Sequence, residues 1–520
     1  MDANASRRFF FKRDDTFLTP KAAAVIVLKT PISYATPWHA AAGEMFIRCV
    51  MDDLTEYGYN AELAGLHYSI DYTAEGIALG VSGFNDKQHV LIAKMVERLK
   101  TIDIRADRFE VLKDQLIRDW KNAKMNAPHQ HARYYMTHAT QEVLWTRDEK
   151  LPELQGLTVE RLRQHVPVFL EKMFMEGFIL GNMDQTEALS IVDHVQKQMN
   201  AKAVDADECK IMRTWVPPKG FFFLLSCVGD QNRKTECLTF PKKKKKKKKP
   251  GTRVIYTIPV FDKANVNSAL DYFVPTGNDA NAKDRAHAVL LAQILNEPCF
   301  DILRTKEQLG YIVHLGLHKS TGCVGLKVIV QSERPALYLE SRVEAFLKEA
   351  RTLLQQLTPE EYKNHQDAVK ARYLEKDKNL DAEFSRQWSE ISAGTYDFDR
   401  GTLFHLHRVL FLCDRALTSW LIDGHTVRRD ALLFHAIKQD DLLTFFDTFF
   451  TTDAPAFTKI SVHMNAQVPY QSSKDAASDD HQASIDAIQK KNQIVTDIKS
   501  IRQGWTLSER PKAAIALTLE

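Results

Sequence analysis

Residues 307–331, EQLGYIVHLGLHKSTGCVGLKVIVQ, and residues 62–84, ELAGLHYSIDYTAEGIALGVSGF, follow the same plan. Each stretch begins with an acidic residue, and its helical pattern ends at a glycine, Gly310 or Gly65. Two runs of alternating apolar and polar residues follow, joined by a short turn that contains glycine. A glycine after a helix commonly adopts the left-handed backbone that stops the helix. Two alternating runs joined by such a turn are typical of a β-hairpin. The chain therefore contains two copies of a unit made of a helix and a hairpin.

The parts that follow each hairpin also recur. Long amphipathic helices are predicted at NDKQHVLIAKMVERLKTI (85–102) and at ERPALYLESRVEAFLKEARTLLQQL (333–357). Residues 157–183 and 437–464 then each predict a helix that leads into a closing strand. This order of parts, found twice, predicts an α+β fold with two homologous domains, each a mixed or antiparallel sheet with helices packed on one face.

The length of the chain agrees with two large domains. A single hydrophobic core stops growing beyond roughly 250 to 300 residues, and this chain has 520. We predict a first domain at residues 1–216, a linker with a lysine-rich insertion at 217–251, and a second domain at 252–520. The second domain would itself carry an insertion at about 401–426.

Composition narrows the possible partners and compartment. The net charge of +3 includes the eight lysines of 242–249, so the rest of the chain is slightly acidic and predicts no nucleic-acid partner. Seven cysteines without a Cys-x-x-Cys pair are typical of a reducing compartment. No apolar run approaches the roughly 20 residues that a membrane span needs. We expect no membrane partner and a cytoplasmic, or at least intracellular, protein, and a mitochondrial or peroxisomal location is compatible with these features.

Motifs along nearly the whole chain resemble the insulin-degrading enzymes, or insulysins, which are metallopeptidases with an inverted zinc motif. The resemblance is to the C-terminal half of such an enzyme, its third and fourth homologous domains. It implies a clamshell in which two halves of two domains each close around short peptides. The motifs that carry the resemblance include FFFKRDDTFLTPKA (9–22), PHQHARYY (128–135), RTKEQLGYIV (304–313), YDFDR (396–400) and DAPAFTKISVHM (453–464).

The zinc motif of that family, His-x-x-Glu-His, does not occur around any of the 18 histidines. The nearest approach to it is His138 with Glu142, four residues apart on a predicted helix, a spacing more typical of an ordinary contact than of a metal site. We therefore expect no metal ligands in this chain. The resemblance implies that zinc belongs to a complementary N-terminal half, on the same or a separate polypeptide.

Arg304 and Tyr311 are the catalytic candidates, since the resemblance implies that residues at these positions reach across to the zinc site. A fixed guanidinium and a phenol hydroxyl can stabilise the negative charge that develops during peptide hydrolysis, or bind substrate carbonyls. Phe300, one turn earlier, would line a substrate side-chain pocket with them. The alternative is a helix-capping arginine and a packing tyrosine. Subtracting 245 places Tyr59 and Leu66 at the equivalent positions of the first copy, so the shared fold does not require the pair.

A second set of candidates surrounds LEKDKNL, residues 374–380. Arg372, Lys376 and Lys378 resemble the basic segment with which the family binds polyanions such as ATP, and lysines suit phosphate as point charges. Asp377 and Asn379 depart from the family pattern. The alternative is a solvated helix end of mixed charge.

Aligned with the family, residues 221–251 and about 401–426 are insertions without clear periodicity. We interpret them as translated non-coding segments, which sequencing of the mature transcript would test.

Three functional hypotheses remain open. The first is the half of a zinc endopeptidase that binds substrate and supports the transition state, with peptides, the zinc-bearing half and polyanions such as ATP as partners. The second is a peptide-binding or scaffold protein without catalytic activity. A nucleotide-regulated module, suggested by 374–380 alone, is a third. A homo-oligomer is compatible with all of them.

Overall fold

The structure is a computed structural model that describes residues 2–4, 6–209, 212–217, 251–396, 398, 433–454, 457–470, 479–502 and 504–510. Both predicted insertions, except Gly251, lie outside the described residues. Within the described part of the chain, no helix combines the length and apolar character that crossing a bilayer requires.

The first half, residues 2–217, folds around a mixed sheet of seven strands. The strand order is β1-β2-β6-β3-β5-β4, and β7 pairs with β6. The hairpin β4–β5 lies at one side of the sheet, so β4 is an edge strand. The strands of this sheet are β1 (Asp2–Asn4), β2 (Arg7–Arg13), β3 (Lys21–Lys29), β4 (Leu66–Tyr72), β5 (Gly76–Phe84), β6 (Lys172–Gly181) and β7 (Lys202–Ala203), and a further strand, β8 (Trp215–Val216), lies outside it.

Six helices of the first half pack on one face of this sheet or against each other, and their apolar residues form one large core with it. Four of the helices have N-caps that the sequence supplies, because Thr36, Thr146, Thr158 and Asp184 each accept a hydrogen bond from a backbone amide in the first turn. The helices of this half are α1 (Pro37–Leu63), α2 (Gln88–Thr101), α3 (Ala106–Asn122), α4 (Pro128–Thr140), α5 (Arg147–Gln155), α6 (Val159–Glu171) and α7 (Gln185–Met199), of which α4 packs elsewhere.

The second half, residues 251–510, repeats the plan. Its six-stranded sheet has the order β11-β12-β10-β13-β9-β14, so that β11 is the edge strand. Its strands are β9 (Arg253–Pro259), β10 (Ser268–Gly277), β11 (Ile312–Ser320), β12 (Cys323–Ser332), β13 (Lys459–Asn465) and β14 (Gln493–Val495), and a further strand, β15 (Thr506–Leu507), pairs with β8. Its helices are α8 (Ala282–Phe300), α9 (Ala336–Gln356), α10 (Pro359–Leu374), α11 (Leu380–Ser392), α12 (Gln439–Phe449), α13 (Asp479–Lys491) and α14 (Ile498–Ile501).

The predicted α+β fold is confirmed, and so are both hairpins and the helices that follow them. The two glycines after the helices differ from each other. Gly65 has the expected left-handed backbone, with φ of 76°. The same prediction for Gly310 is wrong, because the left-handed residue there is Gln308, with φ of 50°. Gly310 is needed for clearance instead, since a Cβ atom would lie 2.0 Å from the carbonyl oxygen of Gln331.

Each half lends one helix to the sheet of the other half, which the sequence pattern did not predict. Helix α4 of the first half packs on the second sheet, where Ala132, Tyr135 and Met136 join a core with strand residues such as Phe273 and Val462. Helix α11 of the second half packs on the first sheet, against β6 and β3. Each of these helices thus covers part of the second face of the other half's sheet.

Candidate functional site

The candidate site lies at the C-terminal end of α8, where the helix leaves its regular geometry. Pro298, in the last turn, has no amide hydrogen and cannot donate to the carbonyl one turn earlier. After Phe300 the backbone continues as a π-helical segment, Asp301–Lys306, and the amide of Glu307 donates to the carbonyl oxygen of Ile302 at 2.9 Å. Such wide turns occur often at functional sites.

Buried anchors hold this segment in place. The side chains of Ile302, Leu303 and Leu309 lie in the core of the second half. Two guanidinium nitrogens of Arg342, on α9, donate to the two carboxylate oxygens of Glu307 at 2.8 and 2.7 Å. Bidentate pairs of this kind fix orientation as well as adding stability. The segment is therefore a rigid support for the exposed side chains that it carries.

The structure brings the three predicted site residues together on this support, with Phe300 and Tyr311 exposed and Arg304 partly exposed. The guanidinium carbon of Arg304 lies 4.7 Å from the ring centre of Phe300 and 4.6 Å from that of Tyr311. The rings are 42% and 79% exposed. Ring contacts of a guanidinium use the faces of its plane, whereas its N–H donors point outward within the plane.

Arg304 keeps its donors available for a ligand. Among the described residues it makes no ion pair and no hydrogen bond, although acidic side chains are close enough in sequence to do so. Asp301 pairs with Lys306, and Glu307 pairs with Arg342. A partly exposed guanidinium that two aromatic rings orient can bind a carbonyl oxygen or a developing oxyanion.

No zinc site accompanies this cluster in the described part of the chain, where no three His, Cys, Asp or Glu side chains converge as a metal ion would need. The residues present therefore do not fit the family's zinc. His138 is buried with its Nδ1 atom 2.8 Å from the carbonyl oxygen of Tyr134, and burial lowers its pKa to about 4. Glu142 instead pairs with Arg213 at 2.9 Å. The pair His138 and Glu142 is thus not a site.

The predicted polyanion residues lie around the end of α10, but most of the charges there are already engaged. Lys378 pairs with Glu375 at 3.0 Å, and Asp377 pairs with the buried Arg386 at 2.8 Å. Asn379 caps α11, since its side-chain oxygen accepts from the amide of Ala382 at 2.8 Å. The two departures from the family pattern therefore have structural roles. Arg372 lies on the same exposed helix end, and Lys376 lies in the loop that follows it. Anion binding by Arg372, Lys376 and Lys378 stays a prediction.

The equivalent place in the first half holds a large cavity, which the sequence did not predict. It measures about 910 Å³ and opens between α1, the edge strand β4 and helices α3 and α5. Tyr59, the positional equivalent of Arg304, lines it, whereas Leu66, the equivalent of Tyr311, is buried. One available signal was Gly58 inside a helical pattern, because an isolated glycine in a helix often has a packing reason. A Cβ atom at Gly58 would lie 2.0 Å from the hydroxyl oxygen of Tyr68.

Aromatic side chains make up much of the wall of this cavity, and ion pairs hold its far side. Lys150 pairs with Glu44 at 2.9 Å and lies 4.5 Å from the ring centre of Trp120. Burial and the nearby Glu62 raise the pKa of Tyr68. The aromatic residues that line the cavity are Tyr34, Tyr59, Tyr68, Tyr72, Trp120, Tyr134 and Trp145.

Comparison with protein families gives two matches. Residues 2–153 match the model of the middle or third domain of peptidase M16. Residues 290–388 match the model described as PQQ synthase PqqF-like, C-terminal lobe domain 4.

Curated relatives point in the same direction. The chain is 31% identical over 468 residues to the insulin-degrading enzymes of Bos taurus and Homo sapiens, covering 89% of this chain and 40% of theirs. It is 28% identical over 503 residues to the insulin-degrading enzyme of Drosophila melanogaster, covering 96% of this chain and 45% of that one. The chain thus spans less than half the length of these relatives.

Solved structures share the fold. Pitrilysin superposes with a TM-score of 0.75 at 18% identity, over 98% of this chain and 46% of its own. A peptidase M16 inactive domain from Pseudomonas fluorescens superposes with a TM-score of 0.57 at 12% identity, over 91% of this chain and 99% of its own. With the motifs and the family models, these matches lead to one assignment: the chain belongs to the insulin-degrading enzyme (insulysin) family of M16 peptidases and matches the C-terminal half of its members.

Proposed function

We propose that this chain is the half of an insulin-degrading-enzyme-like zinc endopeptidase that binds no zinc, and that it acts on short peptides. The observation that carries the proposal is the guanidinium of Arg304, held between the exposed rings of Phe300 and Tyr311 with its donors unused among the described residues. A complementary zinc-bearing half, on the same or another polypeptide, supplies the hydrolytic centre. The proposal includes two homologous domains, at 1–216 and 252–520.

In the assembled enzyme, Arg304 and Tyr311 bind the substrate carbonyl next to the cleaved bond. Hydrolysis places negative charge on that oxygen, and the guanidinium and hydroxyl donate hydrogen bonds to it. Since the rings and the π-helical segment already orient Arg304, little reorganisation is needed when the charge develops. Phe300, 42% exposed, offers apolar surface to a neighbouring substrate side chain. These residues act on the transition state more than on ground-state binding.

Cleavage of an internally quenched peptide by this chain mixed with the zinc-bearing half tests the proposal. Arg304→Ala is expected to lower kcat about 100-fold or more, because it removes a charged donor to the oxyanion. Tyr311→Phe is expected to lower kcat by about tenfold, since it removes one hydroxyl hydrogen bond. Neither variant should change the unfolding of this chain, because both side chains are on the surface.

Arg334→Ala is the matched control. Arg334 also lies on a tyrosine, 5.0 Å from the ring centre of Tyr338, but outside the candidate site. The control variant should keep kcat within about twofold of the wild type. If mixing rescues no cleavage, the chain is better described as a peptide-binding or scaffold protein without catalytic activity.

A further inference from the structure

The two halves present equivalent edge strands, and the strands differ in what covers them. In the second half, α8 reaches the edge strand, because the side-chain amide of Asn296 donates to the carbonyl oxygen of Leu315 on β11. Subtracting the repeat offset of 245 gives Met51 and Ile70 in the first half. A methionine side chain has no hydrogen to donate. Both Met51 and Ile70 line the cavity beside α1.

Strand β4 therefore offers a sheet edge beside an open cavity. Within the described residues β4 pairs only with β5. Leu315 uses its carbonyl toward the outer edge, so the equivalent carbonyl of Ile70 lies on the outer edge of β4. An unpaired edge is a template onto which an extended peptide can add as a further strand.

Charge at the end of α1 indicates what kind of peptide fits. The C-terminal end of a helix carries partial negative charge and favours cations. The last turn of α1 contains no basic residue, and its acidic residue Glu62 lines the cavity. In the second half the equivalent acid, Glu307, is neutralised by Arg342, and the segment also carries Arg304 and Lys306.

Nothing in the described part of the chain neutralises Glu62 in this way. Subtracting the same offset of 245 from Arg342 gives an acid, Glu97, which pairs with Lys94 on its own helix at 2.9 Å. Glu62 makes no ion pair with any described residue. The exposed ring of Tyr59 and the half-buried ring of Tyr68 lie beside it in the cavity wall, and aromatic faces attract cations.

We propose that the cavity between α1 and β4 binds an extended basic peptide, which adds to the edge of β4 and places an arginine or lysine side chain against Glu62, Tyr59 and Tyr68. This second peptide site deepens the proposed function and rests on it for the biological role of the peptide. The site itself belongs to the first half and requires neither Arg304 nor a zinc-bearing half.

Fluorescence anisotropy of a labelled, end-capped heptapeptide of alternating valine and arginine, titrated with the intact chain, tests the proposal. Glu62→Gln should weaken binding about three- to tenfold, because a charge-assisted contact is lost. Met51→Asn should also weaken it several-fold, because an amide can then take the carbonyl of Ile70 as Asn296 takes that of Leu315. Peptides with N-methylated amides on one or the other edge separate backbone pairing from charge alone, and one of the two should fail to bind.

The matched control is Glu56→Gln, on the same helix and exposed but outside the cavity. Equal weakening by Glu56→Gln and Glu62→Gln would mean general attraction to an acidic surface and would overturn the proposal, as would equal binding of both N-methylated peptides. No cleavage enters this measurement. If the mixed halves cleave no peptide but the heptapeptide still binds, the proposed function has failed. If cleavage is rescued but the heptapeptide does not bind, the second peptide site has failed.

Discussion

The end of α8 and the end of α1 occupy equivalent places, yet they have opposite character. In the second half a rigid π-helical segment presents Arg304 and Lys306, an arginine neutralises the local acid, and an asparagine joins helix to edge strand. In the first half the helix ends in a regular way at Gly65, carries Glu62, and leaves a cavity of about 910 Å³. The backbone plan was kept while the charge of the helix end was reversed. Equivalent clefts in a repeat can thus serve different ligands.

The largest effect should come from replacing the two equivalent glycines. Gly310→Ala should lower the free energy of unfolding by about 3 kcal/mol, because a new Cβ atom would meet the backbone oxygen of Gln331, which cannot rotate away. Gly65→Ala should cost only about 1 kcal/mol, since it suffers from its left-handed backbone and from contact with the side chain of Phe84, which can move. Urea unfolding measures both. Equal losses would mean that the two helix ends are less different than the structure indicates.

Removal of the cation after each hairpin should give the next largest difference. Arg342→Ala leaves the half-buried Glu307 without its bidentate partner and should destabilise the chain by about 1 to 2 kcal/mol. Lys94→Ala breaks a more exposed pair with Glu97 and should cost less than about 0.5 kcal/mol. Thermal unfolding at low and high salt compares them. A larger loss of unfolding free energy for Lys94→Ala than for Arg342→Ala would show that Lys94 also stabilises the charge of Glu62.

The smallest effect is a transplant of charge from one helix end to the other. Tyr59→Arg puts a cation at the position equivalent to Arg304, beside Glu62 and the negative end of α1. It should raise the free energy of unfolding by about 0.5 kcal/mol and should weaken binding of the basic heptapeptide. Anisotropy and urea unfolding on the same protein provide the two readings. Tyr59→Phe, which adds no charge, is the control and should leave both nearly unchanged.

The features that could be predicted from the sequence are those that short stretches of it encode. The hairpins at 66–84 and 312–332 were predictable because their alternation and turns are encoded within a few residues. Arg304, Phe300 and Tyr311 could be named together because the motif around them, RTKEQLGYIV, resembles a known family. The cavity beside α1 could not, because it depends on side chains from four helices and an edge strand that meet only in three dimensions.

The sequence pattern also did not predict that a group of charged and polar side chains is buried in the second half. Glu340 of α9 lies in the core with Lys459, Ser461 and His463 of β13, and it accepts from the hydroxyl of Ser461 at 2.7 Å and from Nε2 of His463 at 2.5 Å. Burial lowers the pKa of His463 to about 3, so that its ring is neutral. Three polar residues at alternate positions normally predict the solvent face of a strand. Here that face is covered by α9, about 120 residues away in sequence.

Because α4 and α11 pack on the sheet of the other half, part of the first sheet is synthesised well before the helix that covers it. Phe10, Phe178 and Leu180 present an apolar sheet face as soon as β6 exists, but the cover for that face includes Leu380 and Ile391. About 200 further residues must leave the ribosome first, which takes roughly 10 to 40 s at ordinary rates of synthesis. During that interval the part of the sheet face that α11 covers in the finished protein has no cover from that helix. We therefore expect the nascent chain to expose for that time an apolar face that the finished protein covers.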